Sequence, residues 1–319
     1  VTADRHLITG ANGQDGGYLV EALLAAGEQV HGICHTWEGL ERFTAEYPGA
    51  TGHIGDLGDA VAIVNLIADI RPTRIYNLAG NTSVARSWEH PAQTADVLGL
   101  GPVRIYEAAA RLMSAGEPVR VLQASSAEIF GDAQEVPQRE STPIRPVTPY
   151  GAAKAYAHEM AGIFRARGLH VSAAVLYNHE SPRRPASFVA RKIALGVARI
   201  SVGLQDELVL GNIDVLRDWG YAPDYVDAMR RIIEQPAADD YIVASGEART
   251  VRDYVAEAFA YVDIKDWEPK VRIDPALYRP ADPQRLVGDA GKLRETGWRP
   301  TMTFPRLVAT MIEAELSRV

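Results

Sequence analysis

The feature that most narrows the fold of this chain is an alternation: short β-rich runs and helical stretches follow one another through its first 177 residues. Arg5-His6-Leu7-Ile8-Thr9 reads as a strand. Gly16 to Ala26 reads as a helix with Leu19, Ala22, Leu23 and Ala26 on its apolar face, and Gln29 to Ile33 as a second strand. Asp59 to Ile70 is helical, Arg74 to Leu78 and Val119 to Ala124 are strands, and a long helical stretch lies within 91–114. Thr148-Pro149 starts another helix, with Thr as N-cap and Pro at the first helical position. That helix runs to about Arg167, and His170 to Leu176 is the next strand. Strands and helices alternating at this interval make βαβ units, hence a parallel sheet covered on both faces. The expected fold is α/β, a Rossmann-type doubly wound parallel sheet over residues 1–177. Beyond residue 178 the regularity falls off, and Pro interrupts at Ser181-Pro182, Arg279-Pro280, Asp282-Pro283 and Arg299-Pro300. Residues 178–213 and 246–319 read as a smaller substrate-binding domain, with segments around 214–245 returning to the first.

The first strand–helix junction is Thr9-Gly10-Ala11-Asn12-Gly13-Gln14-Asp15-Gly16-Gly17-Tyr18, with glycines 10, 13 and 16 three residues apart. The spacing differs from G-x-G-x-x-G, but the physics is shared. Residues without Cβ allow a tight turn and let a pyrophosphate approach backbone N–H groups at a helix N-terminus. Asp56, in Gly55-Asp56-Leu57 after the third strand, is placed to bond an adenine edge. Asn77-Leu78-Ala79-Gly80 after the fourth lines the cofactor path. The choice between NAD and NADP is made at the end of the second strand. There Ile33-Cys34-His35-Thr36-Trp37-Glu38 offers neither an acid at the strand end nor an arginine, so the residues leave it open.

Chemistry concentrates at two later points. Val121-Leu122-Gln123-Ala124-Ser125-Ser126-Ala127-Glu128 ends a strand with two hydroxyls and a carboxylate, and Tyr150-Gly151-Ala152-Ala153-Lys154 opens a helix. Positions i and i+4 share a helix face, so the spacing sets the Lys154 ammonium beside Tyr150. A cation there is expected to lower the phenol pKa and make Tyr150 a base near neutrality. Ser126 can bond the same substrate oxygen.

Composition excludes other classes. With 319 residues, 47% of them hydrophobic, the chain can build a substantial core, and no apolar run approaches a membrane span. A formal net charge of −8 argues against general nucleic-acid binding. The lone Cys34 rules out an internal disulfide and fits a reducing, cytoplasmic setting. Val1-Thr2-Ala3-Asp4 leads directly into the first strand, without the basic and apolar regions of a secretory signal. The scattered histidines show no metal-ligand spacing.

The ordered set of glycine loop, strand-terminal Ser126 and Tyr150-x-x-x-Lys154 resembles the extended short-chain dehydrogenase/reductase superfamily. Longer stretches resemble one branch of it, the GDP-mannose 4,6-dehydratase family. These are Ile8-Thr9-Gly10 with Gly13-Gln14-Asp15-Gly16, Tyr76-Asn77-Leu78, Ser126-Ala127-Glu128 and Pro149 to Lys154. Asn178-His179-Glu180-Ser181-Pro182-Arg183-Arg184, Phe188 to Lys192, Gly211-Asn212 with Arg217-Asp218-Trp219-Gly220, and Tyr278-Arg279-Pro280 extend the likeness almost end to end.

The implied reaction is an internal redox elimination on a nucleotide-diphosphate hexose such as GDP-mannose. Tyr150 removes the C4 hydroxyl proton as hydride leaves C4, a carboxylate takes the C5 proton as water departs from C6, and hydride returns to C6. The product is a 4-keto-6-deoxy sugar, and the bound NADP or NAD is regenerated. The resemblance implies Ser126, Glu128, Tyr150 and Lys154 as catalytic. It implies Gly10, Asn12, Gly13, Gln14, Asp15, Gly16, Asp56, Leu57, Leu78 and Ala79, with Tyr150 and Lys154, as cofactor-binding. Asn178, Val189, Lys192, Gly211, Arg217, Arg279 and Asp282 are implied as substrate-binding. Arg183 and Arg184 read equally as substrate contacts or as loop arginines.

Departures bear on three expectations: cofactor, assembly and substrate. The family's long basic loop after the second strand, which touches the NADP phosphate and a neighbouring subunit, is shortened here to His35-Thr36-Trp37-Glu38-Gly39-Leu40 without arginines. NADP then rests on the resemblance alone. A homodimer through the helices at 91–114 and 149–168 is expected rather than a tetramer. Asp282 stands where the family has Glu, so the nucleotide or hexose is open. Two alternatives share these residues: a 4-keto-sugar reductase or C4 epimerase, and a non-catalytic dinucleotide-binding regulator.

Overall fold

The computed structural model describes residues 4–319; Val1-Thr2-Ala3, part of the stretch read as free of a secretory signal, lies outside the described residues. Seven parallel strands form the main sheet: β1 (Arg5–Thr9), β2 (Gln29–Cys34), β3 (Thr51–Ile54), β4 (Arg74–Asn77), β5 (Arg120–Ser126), β6 (His170–Leu176) and β10 (Asp240–Val243). Their spatial order is β10-β6-β5-β4-β1-β2-β3, every pair parallel. Strand order reverses between β1 and β4, so a crevice opens outside their carboxyl ends, where α/β sheets of this kind bind ligands.

The remaining strands build smaller sheets. β7 (Asn178–Glu180), β9 (Leu216–Tyr221), β11 (Ala248–Thr250) and β13 (Arg285–Leu286) form one centred on β9, and β8 (Leu208–Leu210) pairs with β12 (Val271–Ile273). One apolar core lies on each face of the main sheet. A separate core around Ile193, Val197, Tyr254, Phe259 and Leu307 sits under the smaller sheets.

Two local outcomes differ from the sequence reading. Residues 35–40, read as a shortened loop, are the entry to a helix, Trp37–Glu46. Thr36 makes it by accepting the Gly39 N–H at 3.1 Å, an N-cap, while buried Phe43 anchors the helix to the sheet. The stretch within 91–114 is helical throughout, but Asp96–Leu100 forms a π turn. There Asp96 turns back to accept from Arg104 at 2.7 Å. The Thr148 cap reads as expected: its hydroxyl accepts from the Gly151 N–H at 2.9 Å, and Pro149 opens the helix Pro149–Ala166. No helix among the described residues is long and apolar enough to cross a membrane.

Candidate active site

The glycine turn leaves β1 and enters the helix Gln14–Ala25 with Gly13 at the N-cap. Two of its glycines are sterically obligatory. Gly10 has φ of +70°, and a Cβ there would stand 2.9 Å from the Ala79 Cα. At Gly16 a Cβ would meet the Gly10 carbonyl at 2.2 Å. Under the turn, the Thr9 hydroxyl donates to Asn77 Oδ1 (2.7 Å) and accepts the Leu78 and Ala79 N–H groups (3.1 Å each). Asn77 Nδ2 in turn donates to Gln123 Oε1 at 2.8 Å. This buried chain ties the ends of β1, β4 and β5 to one another and fixes the crevice floor. A cradle emptied of Cβ atoms before a helix N-terminus fits the diphosphate of a dinucleotide.

The catalytic candidates converge on a cleft of about 440 Å³. Ser126, Glu128, Tyr150 and Lys154 all line it, as do Asp15, Leu78, Asn178, Val189, Lys192, Gly211, Arg217, Arg279 and Asp282. Gly10, Asn12, Gly13, Gln14, Gly16, Asp56, Leu57 and Ala79 are not among its lining residues. Leu57 sits with its side chain in the core and its carbonyl accepting from Arg104, so only its backbone is offered to a ligand. Asp56 is half exposed and accepts the Gly58 N–H at 2.8 Å.

Tyr150 and Lys154 share a helix face as the spacing predicts, but the phenol is not lowered as expected. Lys154 Nζ donates to the Ala124 carbonyl at 2.8 Å and lies 5.9 Å from the Tyr150 ring centre. Burial pushes the Tyr150 phenol up to about 12, opposed first by the neighbouring Ser126 hydroxyl. Burial also lowers Lys154 to about 8. Desolvation outweighs the helix-face proximity that the spacing suggested. The backbone of this turn is pinned by Ser87, whose hydroxyl accepts the Tyr150 N–H at 3.2 Å.

Glu128 is 9% exposed, and its Oε2 is buried without a hydrogen-bond partner. Burial raises its pKa, while Arg217 and Arg279 pull it back. Arg217 reaches across from β9 to donate to Asp282 at 2.6 Å, and Arg279 donates to the same oxygen at 3.2 Å. The Ser126 hydroxyl accepts the Glu128 N–H at 3.3 Å, fixing the carboxylate relative to the hydroxyl. At the end of β2, His35 is exposed with Asp56 at 3.9 Å, and the Thr36 hydroxyl is engaged in the helix cap.

Sequence reasoning missed three lining residues: His179, Glu180 and Tyr278 line the cleft, beside Arg184, which it had left between substrate contact and loop arginine. Two of the three stood in the Asn178-to-Arg184 stretch, whose density of charged types was the available signal. Their partners are too remote in sequence to be inferred.

Comparison with known proteins follows the same lines. The family model described as GDP-mannose 4,6 dehydratase matches residues 7–311. GDP-mannose 4,6 dehydratase 1 of Arabidopsis thaliana is 41% identical over 97% of this chain and 89% of its own length. Among solved structures, RMD of Pseudomonas aeruginosa, complexed with NADPH, superposes with a TM-score of 0.80 at 26% identity, covering 99% of this chain and 100% of that one. UDP-glucose 4-epimerase of Thermus thermophilus, in complex with NAD, gives 0.82 at 27% identity, again over 99% and 100%. The chain belongs to the GDP-mannose 4,6-dehydratase family.

Proposed function

We propose that this protein is a nucleotide-sugar 4,6-dehydratase that converts GDP-mannose or a related NDP-hexose to its 4-keto-6-deoxy form. The observation that carries the reading is Glu128: a buried carboxylate with one unpartnered oxygen, two residues from Ser126 and in the same cleft as Tyr150. Hydride exchange at C4 needs no such group, whereas removal of a C5 proton does. A 4-keto-sugar reductase or C4 epimerase has no use for it, and the catalytic set argues against a mere regulator.

The glycine turn at residues 10–16 and the N-terminus of the helix Gln14–Ala25 would hold a nicotinamide dinucleotide, NAD or NADP, which would supply the hydride acceptor for C4 and the hydride donor for C6. All else falls to side chains. Tyr150, as the phenolate, accepts the C4 hydroxyl proton while Ser126 bonds the same oxygen; burial alone leaves the phenol too high, so the base form depends on the positive charge that the oxidised dinucleotide would supply to the cleft. Lys154, held by the Ala124 carbonyl, supplies the cation of that corner. Glu128 takes the C5 proton and hands it to the departing C6 hydroxyl as water forms; when hydride adds at C6 a proton returns to C5 and Tyr150 gives up the one it took, so the groups end as they began. The raised pKa of Glu128 suits both halves of its task. Arg217 and Arg279, with Lys192 and Asn178, receive the nucleotide diphosphate; a guanidinium fork bonds two phosphate oxygens at once. Val189, Gly211 and Asp282 shape the nucleotide end.

The main sheet with β10 serves as the dinucleotide half, and segments 178–213 and 246–319 as the nucleotide-sugar half. A homodimer through the helices Gly101–Ser114 and Pro149–Ala166 is part of the reading. It is supported by Leu100, Tyr156 and Ile163, each 45% exposed or more on or beside them. A cytoplasmic setting agrees with the single free cysteine. Incubation with a panel of NDP-hexoses, followed by mass spectrometry, tests the activity. Loss of one water without accumulation of reduced dinucleotide is expected; stoichiometric reduced dinucleotide would sink the reading.

A further inference from the structure

The helix that follows the glycine turn carries a carboxylate in its first turn. Asp15 is 20% exposed and lines the cleft. An ionised acid beside the place where a diphosphate settles opposes it by like-charge repulsion. The fold answers from 164 residues away. His179, on β7, donates from Nε2 to Asp15 Oδ2 at 2.8 Å and from Nδ1 to the Tyr177 carbonyl at 2.7 Å. The Tyr177 carbonyl accepts from Nδ1–H, and with the Asp15 carboxyl held below its ordinary range Nε2 donates as well, so both ring nitrogens are donors. The geometry is that of an imidazolium paired with a carboxylate.

The surroundings hold this state in place. The Tyr225 ring stacks on His179 at 4.5 Å. Gln14 donates to Asp15 Oδ1 (3.1 Å) and to the His179 carbonyl (3.2 Å), and accepts from Ser181 (2.9 Å). Other charges facing the pair are Arg184 and Glu180, 3.3 Å from each other, and Lys154 beyond Asp15. Burial pushes the His179 pKa down, but Asp15 more than reverses it and leaves it above the ordinary value. Asp15 shows the converse: burial pushes its carboxyl up, and the His179 charge and hydrogen bond bring it below the ordinary range.

We propose that His179 is a proton-linked counter-ion of the dinucleotide site: protonated, it cancels Asp15 and admits the diphosphate; deprotonated, it leaves Asp15 bare and loosens the dinucleotide. Asp15 and His179 are thus positioning residues acting through charge, and dinucleotide and proton favour each other's binding reciprocally. The inference rests on reading the glycine turn as a dinucleotide site.

Fluorescence titration of the stripped full-length chain with NADH and NADPH between pH 6 and 9.5 tests it without sugar turnover. Wild-type Kd is expected to rise about tenfold across the alkaline range, within the usual span of coupling between two sites. The imidazole C2–H resonance of His179 should titrate over the same interval. In Asp15→Asn the alkaline limb disappears, because no charge is left to uncover. His179→Gln binds at all pH values as weakly as wild type does at pH 9.5, and the double variant restores binding. A flat wild-type profile overturns the proposal. So does a limb that survives in Asp15→Asn, which would belong to Lys154. Should His179→Gln fail to fold, the Asp15→Asn profile decides alone. Wild-type protein that binds neither dinucleotide at any pH overturns the dinucleotide reading itself.

Discussion

The two ends of the cleft treat charge in opposite ways. At the catalytic end, Lys154 has only a carbonyl to bond and Glu128 keeps a free oxygen, so burial moves both toward neutral pH. At the nucleotide end, Arg217 and Arg279 converge on Asp282 in a compact ionic cluster. The difference teaches a division of labour. On the proposed roles, the groups that exchange protons are left under-paired, and the groups that hold the dianionic ligand are paired and oriented. Substitutions at the first end should therefore act on kcat and those at the second on KM.

The sharpest break is Tyr150→Phe, expected to lower kcat by roughly ten-thousandfold, the upper range for loss of a positioned acid–base group. Steady-state turnover with GDP-mannose checks it, with the thermal midpoint measured alongside as a folding control. Glu128→Gln is expected to lower formation of the 4-keto-6-deoxy product by roughly a thousandfold. Stopped-flow absorbance should still show partial reduction of bound dinucleotide on mixing with sugar. If this variant keeps full activity, the C5 base lies elsewhere.

A pH profile sharpens the contrast further. Raising pH removes the proton from Lys154, whose pKa burial has lowered to about 8. Turnover should thus fall above about pH 8, and on the acid side it should fall as the Glu128 carboxylate protonates, above the usual glutamate range. At the other end, Arg217→Met should raise KM about thirtyfold with kcat changed less than threefold, as expected for loss of a charge-assisted hydrogen bond. A kcat loss larger than the KM change would collapse the division between the ends. The smallest effect is Thr148→Ala, which removes the N-cap of the Tyr150 helix and should cost about 1 kcal/mol, read as a drop of a few degrees in Tm.

How much of this was legible in the sequence depends on range. β6 came out with the boundaries read from its apolar run, and the helix Pro149–Ala166 with the start that Thr148-Pro149 announces, because both signals are local. The helix Trp37–Glu46 was invisible, since its apolar face is little more than Leu40 and Phe43 and its start depends on one threonine cap. The glycine turn could be located, but not the reason for it: Gly16 is needed because of a carbonyl six residues back, and Gly10 because of Ala79. Pairings across the fold were out of reach. Arg217 meets Asp282 65 residues away and Asp15 meets His179 164 away; a sequence displays residue types, not partners. The effect of burial on Tyr150 and Lys154 was likewise hidden, since helix spacing gives proximity and says nothing of solvent.

The central claim is that one cleft carries out both halves of an internal redox elimination, and an isotope test addresses it directly. GDP-mannose deuterated at C4 should yield a 4-keto-6-deoxy product carrying that deuterium at C6 of the same molecule, with bound dinucleotide unchanged at the end. Deuterium retained at C4, or recovered on released dinucleotide, would contradict the account.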